Sequence, residues 1–258
     1  MRYLVNTDLE PDDRVAISKF LNKLKQSNDT FEVTFITGAG LYPSAKVAQM
    51  NKILEMAKLD PKRIKVKVVK GSPLSKFPDV LGYDLLGKWD VNANPPIYPK
   101  EDPSTYSAEA VSATKDFLKD KSSKGIILSL AGMKDILKAT QELETEEEIV
   151  KYSHIDFFGS MSYNFRVSCP PKQVGEKRVK DVAPVLNMLE KFNTQTWYET
   201  YYSNYGINST GKLFPLNGEF RKYLTTTPAG RLIMKSSEFF EASNYADCIE
   251  TLFDISIF

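Results

Sequence analysis

Residues 3–13 read Tyr3-Leu4-Val5-Asn6-Thr7-Asp8-Leu9-Glu10-Pro11-Asp12-Asp13. A short apolar run, Tyr3 to Val5, leads into the acidic loop Asp8–Asp13. A helical pattern follows, with Val15, Ile17, Phe20, Leu21 and Leu24 on one apolar face. The same strand–turn–helix order then repeats. Phe31–Thr37 (FEVTFIT) is rich in β-formers and stops at Gly38-Ala39-Gly40. Val47, Met50, Ile53, Leu54 and Ala57 space a second amphipathic helix, closed by Asp60-Pro61. Ile64–Val69 is a third strand, ending at Gly71-Ser72-Pro73. Strands separated by helices of this length pair in parallel through right-handed crossovers.

Further along, residues 78–106 carry Gly82, Gly87, Trp89, Pro95, Pro96, Pro99 and Pro103, which predicts a long loop. A helix is expected over 107–121, then the strand Gly125–Leu130 and a helix from near Gly132. The run Glu144, Glu146, Glu147, Glu148 reads as a solvated helix start, where acids complement the dipole. Ile155–Phe158 is a further strand, Val182–Leu189 a helix and Thr196–Tyr201 one more strand; a last helix follows Ser243-Asn244. No repeat or low-complexity linker divides the chain. The expectation is a single α/β domain over residues 1–258, with an open, mostly parallel central sheet flanked by helices and a Rossmann-like core.

Composition narrows the function. The chain has 258 residues with 34 Lys+Arg against 33 Asp+Glu, so it lacks the basic excess a nucleic-acid partner would require. One histidine, His154, excludes multi-His zinc sites and HExxH chemistry. Cys169 and Cys248 form neither a CxxC pair nor a disulfide framework, which points to a reducing compartment. An acidic cluster follows within eight residues of the start, leaving no apolar secretion segment, and no run approaches a membrane span. The expectation is a soluble, cytoplasmic protein with no membrane or nucleic-acid partner.

Asp8, Glu10, Asp12 and Asp13 place four carboxylates directly after the first strand. In open parallel sheets this is where ligands sit. Clustered carboxylates repel unless a cation or strong donors occupy the site. Oxygen ligands without Cys or His favour Ca²⁺ or Mg²⁺ over zinc. The structural alternative is that Pro11-Asp12-Asp13 caps the following helix.

The segment resembles the N-terminal DxDxxxDD motif of the inosine-uridine preferring nucleoside hydrolases. Asp8, Asp12 and Asp13 match its last three aspartates; Asn6 stands where the family usually has the first, and Leu9-Glu10-Pro11 replaces the usual Pro-Gly. Phe35-Ile36-Thr37-Gly38 with Asn51 resembles the VxGN…N segment, and Gly71-Ser72-Pro73-Leu74 the GxxxPL turn. Leu128–Ile136 resembles GPLTNIA and Phe157-Phe158-Gly159-Ser160 the MGG strand end. The resemblance spans roughly residues 1–165 and implies Ca²⁺-dependent hydrolysis of the N-glycosidic bond of ribonucleosides. On it, Asp8 is a metal ligand and the base acting on water, Asp13 a second ligand, and Asp12 a ribose-hydroxyl contact. The carbonyl of Leu130 and a late aspartate, Asp247 (or Asp254), complete the metal set. Trp89 would stack on the leaving base, with Trp197 and Tyr198 as a second aromatic source, and Asn164 or Glu176 would take the ribose 5′-hydroxyl. Family members are commonly dimers or tetramers.

The departures support a second reading, a nucleoside- or ribose-binding member with impaired catalysis. Ala39 replaces the usual ribose-contacting Asn, and Ala246 the His that protonates the leaving base. A third reading, a Mg²⁺ phosphatase, lacks a glycine-rich phosphate loop or Ser/Thr-Lys pair.

Overall fold

In the computed structural model, residues 1–9, 11–38, 40, 42–74, 101–147, 151–160, 168, 172–174, 177–179 and 183–198 are described. Strand β1 (Arg2–Thr7) is buried at all six positions, as expected of a strand covered on both faces. It pairs in parallel with β2 (Phe31–Thr37) on one side and β4 (Gly125–Ser129) on the other. β3 (Ile64–Lys70) lies beyond β2, and β5 (Tyr152–Ser160) then β8 (Phe192–Tyr198) lie beyond β4, all in parallel. The order is therefore β3-β2-β1-β4-β5-β8. A separate two-stranded antiparallel ribbon joins β6 (Lys172–Val174) to β7 (Lys177–Val179). The expected α/β class and open parallel sheet are observed.

The side-chain period of two splits β1 between two cores. Leu4 joins Ile36, Ile127, Val111, Phe117, Ile136 and Leu137 on the face covered by α3 (Ala108–Lys119), α4 (Lys134–Glu147) and α5 (Ala183–Leu189). Tyr3 and Val5 join Ile17, Phe20, Leu21, Leu24, Phe35 and Met50 on the opposite face, under α1 (Pro11–Gln26) and α2 (Pro43–Ala57). β3 at the edge alternates buried Ile64 with exposed Lys65 and Lys67, and edge lysines discourage pairing with another chain.

Helix ends follow their local chemistry. Pro11 opens α1, where its missing N–H is no loss. Ser107 caps α3 by accepting the Ala110 N–H at 3.2 Å. β2 and β3 converge so tightly at their ends that a Cβ on Gly71 would lie 2.6 Å from both N and Cα of Gly38; only glycine fits there.

Three local expectations change. The glutamate run closes a helix instead of starting one: α4 begins at Lys134, and Glu144 lies in its last turns. The buried face made by Ile136, Leu137, Thr140 and Leu143 sets the helix, and Lys191 pairs with Glu144 while Lys138 pairs with Glu142. His154 lies inside β5, which starts two residues earlier than the histidine. β8 starts at Phe192, because Phe192 stacks on Tyr152 at 5.2 Å and meets Phe157 at 5.0 Å. The polar Asn193-Thr194-Gln195 that follows conceals that start in the sequence. Of the expected long loop, residues 75–100 lie outside the described residues.

Candidate functional site

The chain runs outward from β1 to β2 to β3, then returns to place β4 on β1's other side. Between the carboxyl ends of β1 and β4 the strand order reverses, and crevices at such points bind ligands in open α/β sheets. The Asp8 loop leaves β1 at this point.

Its geometry starts from buried Thr7. The Thr7 hydroxyl donates to Asp13 Oδ2 at 2.5 Å and accepts the Leu9 N–H at 3.0 Å. The Asp8 N–H donates to the same Asp13 oxygen at 3.1 Å. Asp13 is buried in the first turn of α1, and its carboxylate ties that turn back to the end of β1 through Thr7 and the Asp8 N–H. Leu9 bridges the two at φ 53° with its side chain fully buried. A leucine in the left-handed region is strained, and such strain persists where surrounding contacts over-determine it. Asp8 is half-buried. Its main-chain carbonyl accepts the ammonium of Lys46, a side chain from α2 that is itself only 4% exposed.

Asn6 joins the two strands across the crevice. Its side-chain nitrogen donates to Ser129 Oγ at 3.1 Å and to the carbonyls of Ala131 and Gly132 at 3.2 and 3.0 Å. Its main-chain carbonyl accepts the Leu130 N–H at 2.8 Å. Two carbonyl acceptors demand a donor here, which explains an amide at position 6: a carboxylate would set its charge against both carbonyls and find only the Ser129 hydroxyl able to donate to it.

A second buried polar cluster borders the same sheet end. Asp135, in the first turn of α4, accepts the Ser72 N–H at 2.8 Å and the Ser72 hydroxyl. Ser72 Oγ also accepts the Ser107 N–H at 2.7 Å. Lys134 ties down the neighbouring segment through the carbonyls of Pro73 at 3.1 Å, Pro103 at 2.9 Å and Thr105. Burial raises the Asp135 pKa, opposed by the Ser72 bonds and Lys134. Burial lowers that of Lys134, opposed by Asp135 and Asp102. Because folded Asp135 holds its proton more tightly than the unfolded chain does, its contribution to stability is full below the ordinary carboxylate range and lost as pH rises through the raised value. Asp135→Asn is therefore expected to flatten the stability profile from about pH 4 upward. Asp135→Ala is expected to cost about 2–3 kcal/mol by orphaning the Ser72 N–H. Urea melts across that range check both; an Asn variant keeping the wild-type slope would remove Asp135 as its source.

The sequence-derived candidates divide accordingly. Asp8 and Asp13 share one turn, and Leu130 lies on the adjoining strand end, bonded to Asn6. Asp12 lies in the first turn of α1, but its side chain is outside the described residues. So are Ala39, Trp89, Asn164, Glu176, Ala246, Asp247 and Asp254; Trp197 and Tyr198 are described only as backbone in β8. His154 lies near the amino end of β5, its Nε2 3.0 Å from the Leu118 carbonyl. Burial, with Arg2 and Lys121 adding to it, lowers its pKa against the Leu118 bond and Asp120. The site is at the opposite end of the strands, so the only histidine of the chain does not serve it.

Sequence reading missed Lys46. Pro43, Lys46 and Met50 fall on the buried stripe of α2, so a charge in register with the apolar face was the available signal.

For a metal, this turn offers the carboxylates of Asp8 and Asp13, while the main-chain carbonyls of Asn6, Thr7 and Asp8 already accept from Leu130, Gly38 and Lys46. In kind they fit a hard cation such as Ca²⁺. Among the described residues no cluster of three or more His, Cys, Asp or Glu side chains is present, so a complete shell would draw on further oxygens.

No model of a known protein family matches the chain, and no curated protein sequence does. Among solved structures, the chain is similar to an inosine-uridine preferring nucleoside hydrolase from Bacillus anthracis, with 15% identity, 97% of this chain and 76% of that one covered, and a TM-score of 0.45. It is also similar to an inosine-guanosine nucleoside hydrolase, with 13% identity, 98% and 71% covered, and a TM-score of 0.41. The fold assignment rests on the strand order itself and not on these values.

Proposed function

We propose that this protein hydrolyses the N-glycosidic bond of ribonucleosides, releasing free base and ribose, with Ca²⁺ held in the Asp8 turn. The observation that carries this reading is a strained turn at the reversal point of a parallel sheet that holds both Asp8 and Asp13, closed by the Asp8 N–H on the Asp13 carboxylate. Asp8, Asp13 and the Leu130 carbonyl would hold the ion, with Asp247 as a further ligand. When bound, Ca²⁺ would acidify a water and chelate vicinal ribose hydroxyls. The chain's own residues supply the rest. The Asp8 carboxylate accepts the proton as water adds to the anomeric carbon, and the bond to the base nitrogen breaks. Asp12 orients a ribose hydroxyl. The acidic turn favours the positive charge that builds on the sugar. With His154 at the far end of the sheet, the departing base takes its proton from solvent while stacked on an aromatic ring, the role proposed for Trp89.

Asn6 and Lys46 favour the second reading, a nucleoside-binding protein of impaired catalysis. The first replaces a carboxylate with a donor, and the second brings a positive charge to the turn. A panel of purine and pyrimidine ribonucleosides, followed by release of free base, separates them. Base release that requires Ca²⁺ is the expected result; binding without release on any riboside selects the second reading. No described helix is long and apolar enough to cross a membrane.

A further inference from the structure

Lys46 is out of place by the rules of its own helix. A lysine on the buried stripe of α2 at 4% exposure must have its charge compensated, because burying an ammonium away from water is costly. Its ammonium reaches the Asp8 carbonyl 38 residues away in sequence. The carbonyl belongs to the same residue as the carboxylate proposed to bind calcium, so covalent geometry keeps the two only a few ångströms apart. A fixed positive charge therefore borders the turn that holds Asp8 and Asp13.

We propose that Lys46 is the built-in cation of this turn: its ammonium holds the Asp8 main chain and weakens the affinity of the turn for a divalent ion. The proposal rests on the metal reading of the Asp8 turn and deepens it by naming the residue that sets how much calcium the turn requires. Two positive centres within one residue's reach repel appreciably even at a surface-like dielectric constant. Neutralising one must therefore favour the other.

The test is calcium titration by calorimetry on chelator-stripped wild type, Lys46→Met and Lys46→Arg, with circular dichroism confirming the fold of each. Lys46→Met is expected to bind Ca²⁺ about tenfold more tightly or better, and Lys46→Arg to stay within about threefold of wild type, since it keeps the charge. Equal or weaker binding by the Met variant overturns the proposal, as does an Arg variant that gains as much as Met. A silent wild type with a binding Met variant upholds the role of Lys46 and removes calcium from the native reaction. A binding wild type with an unchanged Met variant does the reverse, and silence in all three removes both. If Lys46→Met does not fold, Lys46→Gln takes its place. The gain in melting temperature on adding CaCl₂ then reads the same comparison: a larger gain than wild type supports the proposal, an equal or smaller one overturns it.

Discussion

Asn6→Asp is expected to destabilise the protein by roughly 3–5 kcal/mol at neutral pH. The amide of Asn6 is 2% exposed and donates into two main-chain carbonyls and the Ser129 hydroxyl. A carboxylate of the same shape loses the bonds to both carbonyls and sets a buried negative charge against their oxygens. Part of the loss is recoverable by acid. The new carboxyl's folded-state pKa lies above its unfolded value, because burial and the carbonyl dipoles both disfavour its charged form. The folded variant then binds a proton that the unfolded chain releases, so its stability falls as pH rises above about 4. Urea melts at neutral pH and near pH 4 give the comparison. A variant within about 1 kcal/mol of wild type at neutral pH would mean that the amide does not face these carbonyls. If calcium alone restored the loss, residue 6 would face the cation rather than the β4 turn.

Asp8→Asn carries the largest expected effect on activity, a fall in base release of about 10³-fold, or about 4 kcal/mol of transition-state stabilisation. An asparagine keeps the main-chain bonds of Asp8, its N–H to Asp13 and its carbonyl to Lys46, and it has nearly the shape of the aspartate. Asp13→Ala is the contrasting case. It removes the acceptor of both the Thr7 hydroxyl and the Asp8 N–H, so stability falls with activity, by about 2–3 kcal/mol. Base release and thermal melts on the two variants, run together, separate chemistry from architecture. Full activity in Asp8→Asn would end its assignment as the base.

Most of the fold was legible because it is written in local periodicity. Strands β1 to β3 and the helices between them announce themselves by apolar spacing and by glycine and proline at their ends. β2 was read at its observed bounds, Phe31–Thr37, since both its start and its glycine stop are local signals. The glutamate run misleads for the same reason: charge places it at a helix start, whereas the buried face of α4 puts it in the last turns. The start of β8 is hidden from the sequence because its first anchor, Phe192, acts through rings on β5, not through its neighbours in the chain.

By itself the sequence determined the alternation of strands and helices, the near-even balance of charge, and the acidic turn after the first strand. Those properties depend on residue type and on spacing within a few turns of chain. The tertiary structure decided what that turn is made of. It closed Asp13 onto Thr7 and the Asp8 N–H, aimed the Asn6 amide across 123 residues to Ser129, brought Lys46 from the next helix to the Asp8 carbonyl, and put His154 at the other end of the sheet. Direction and partner are long-range properties, fixed only when the parallel strands come into register and the helices pack over them.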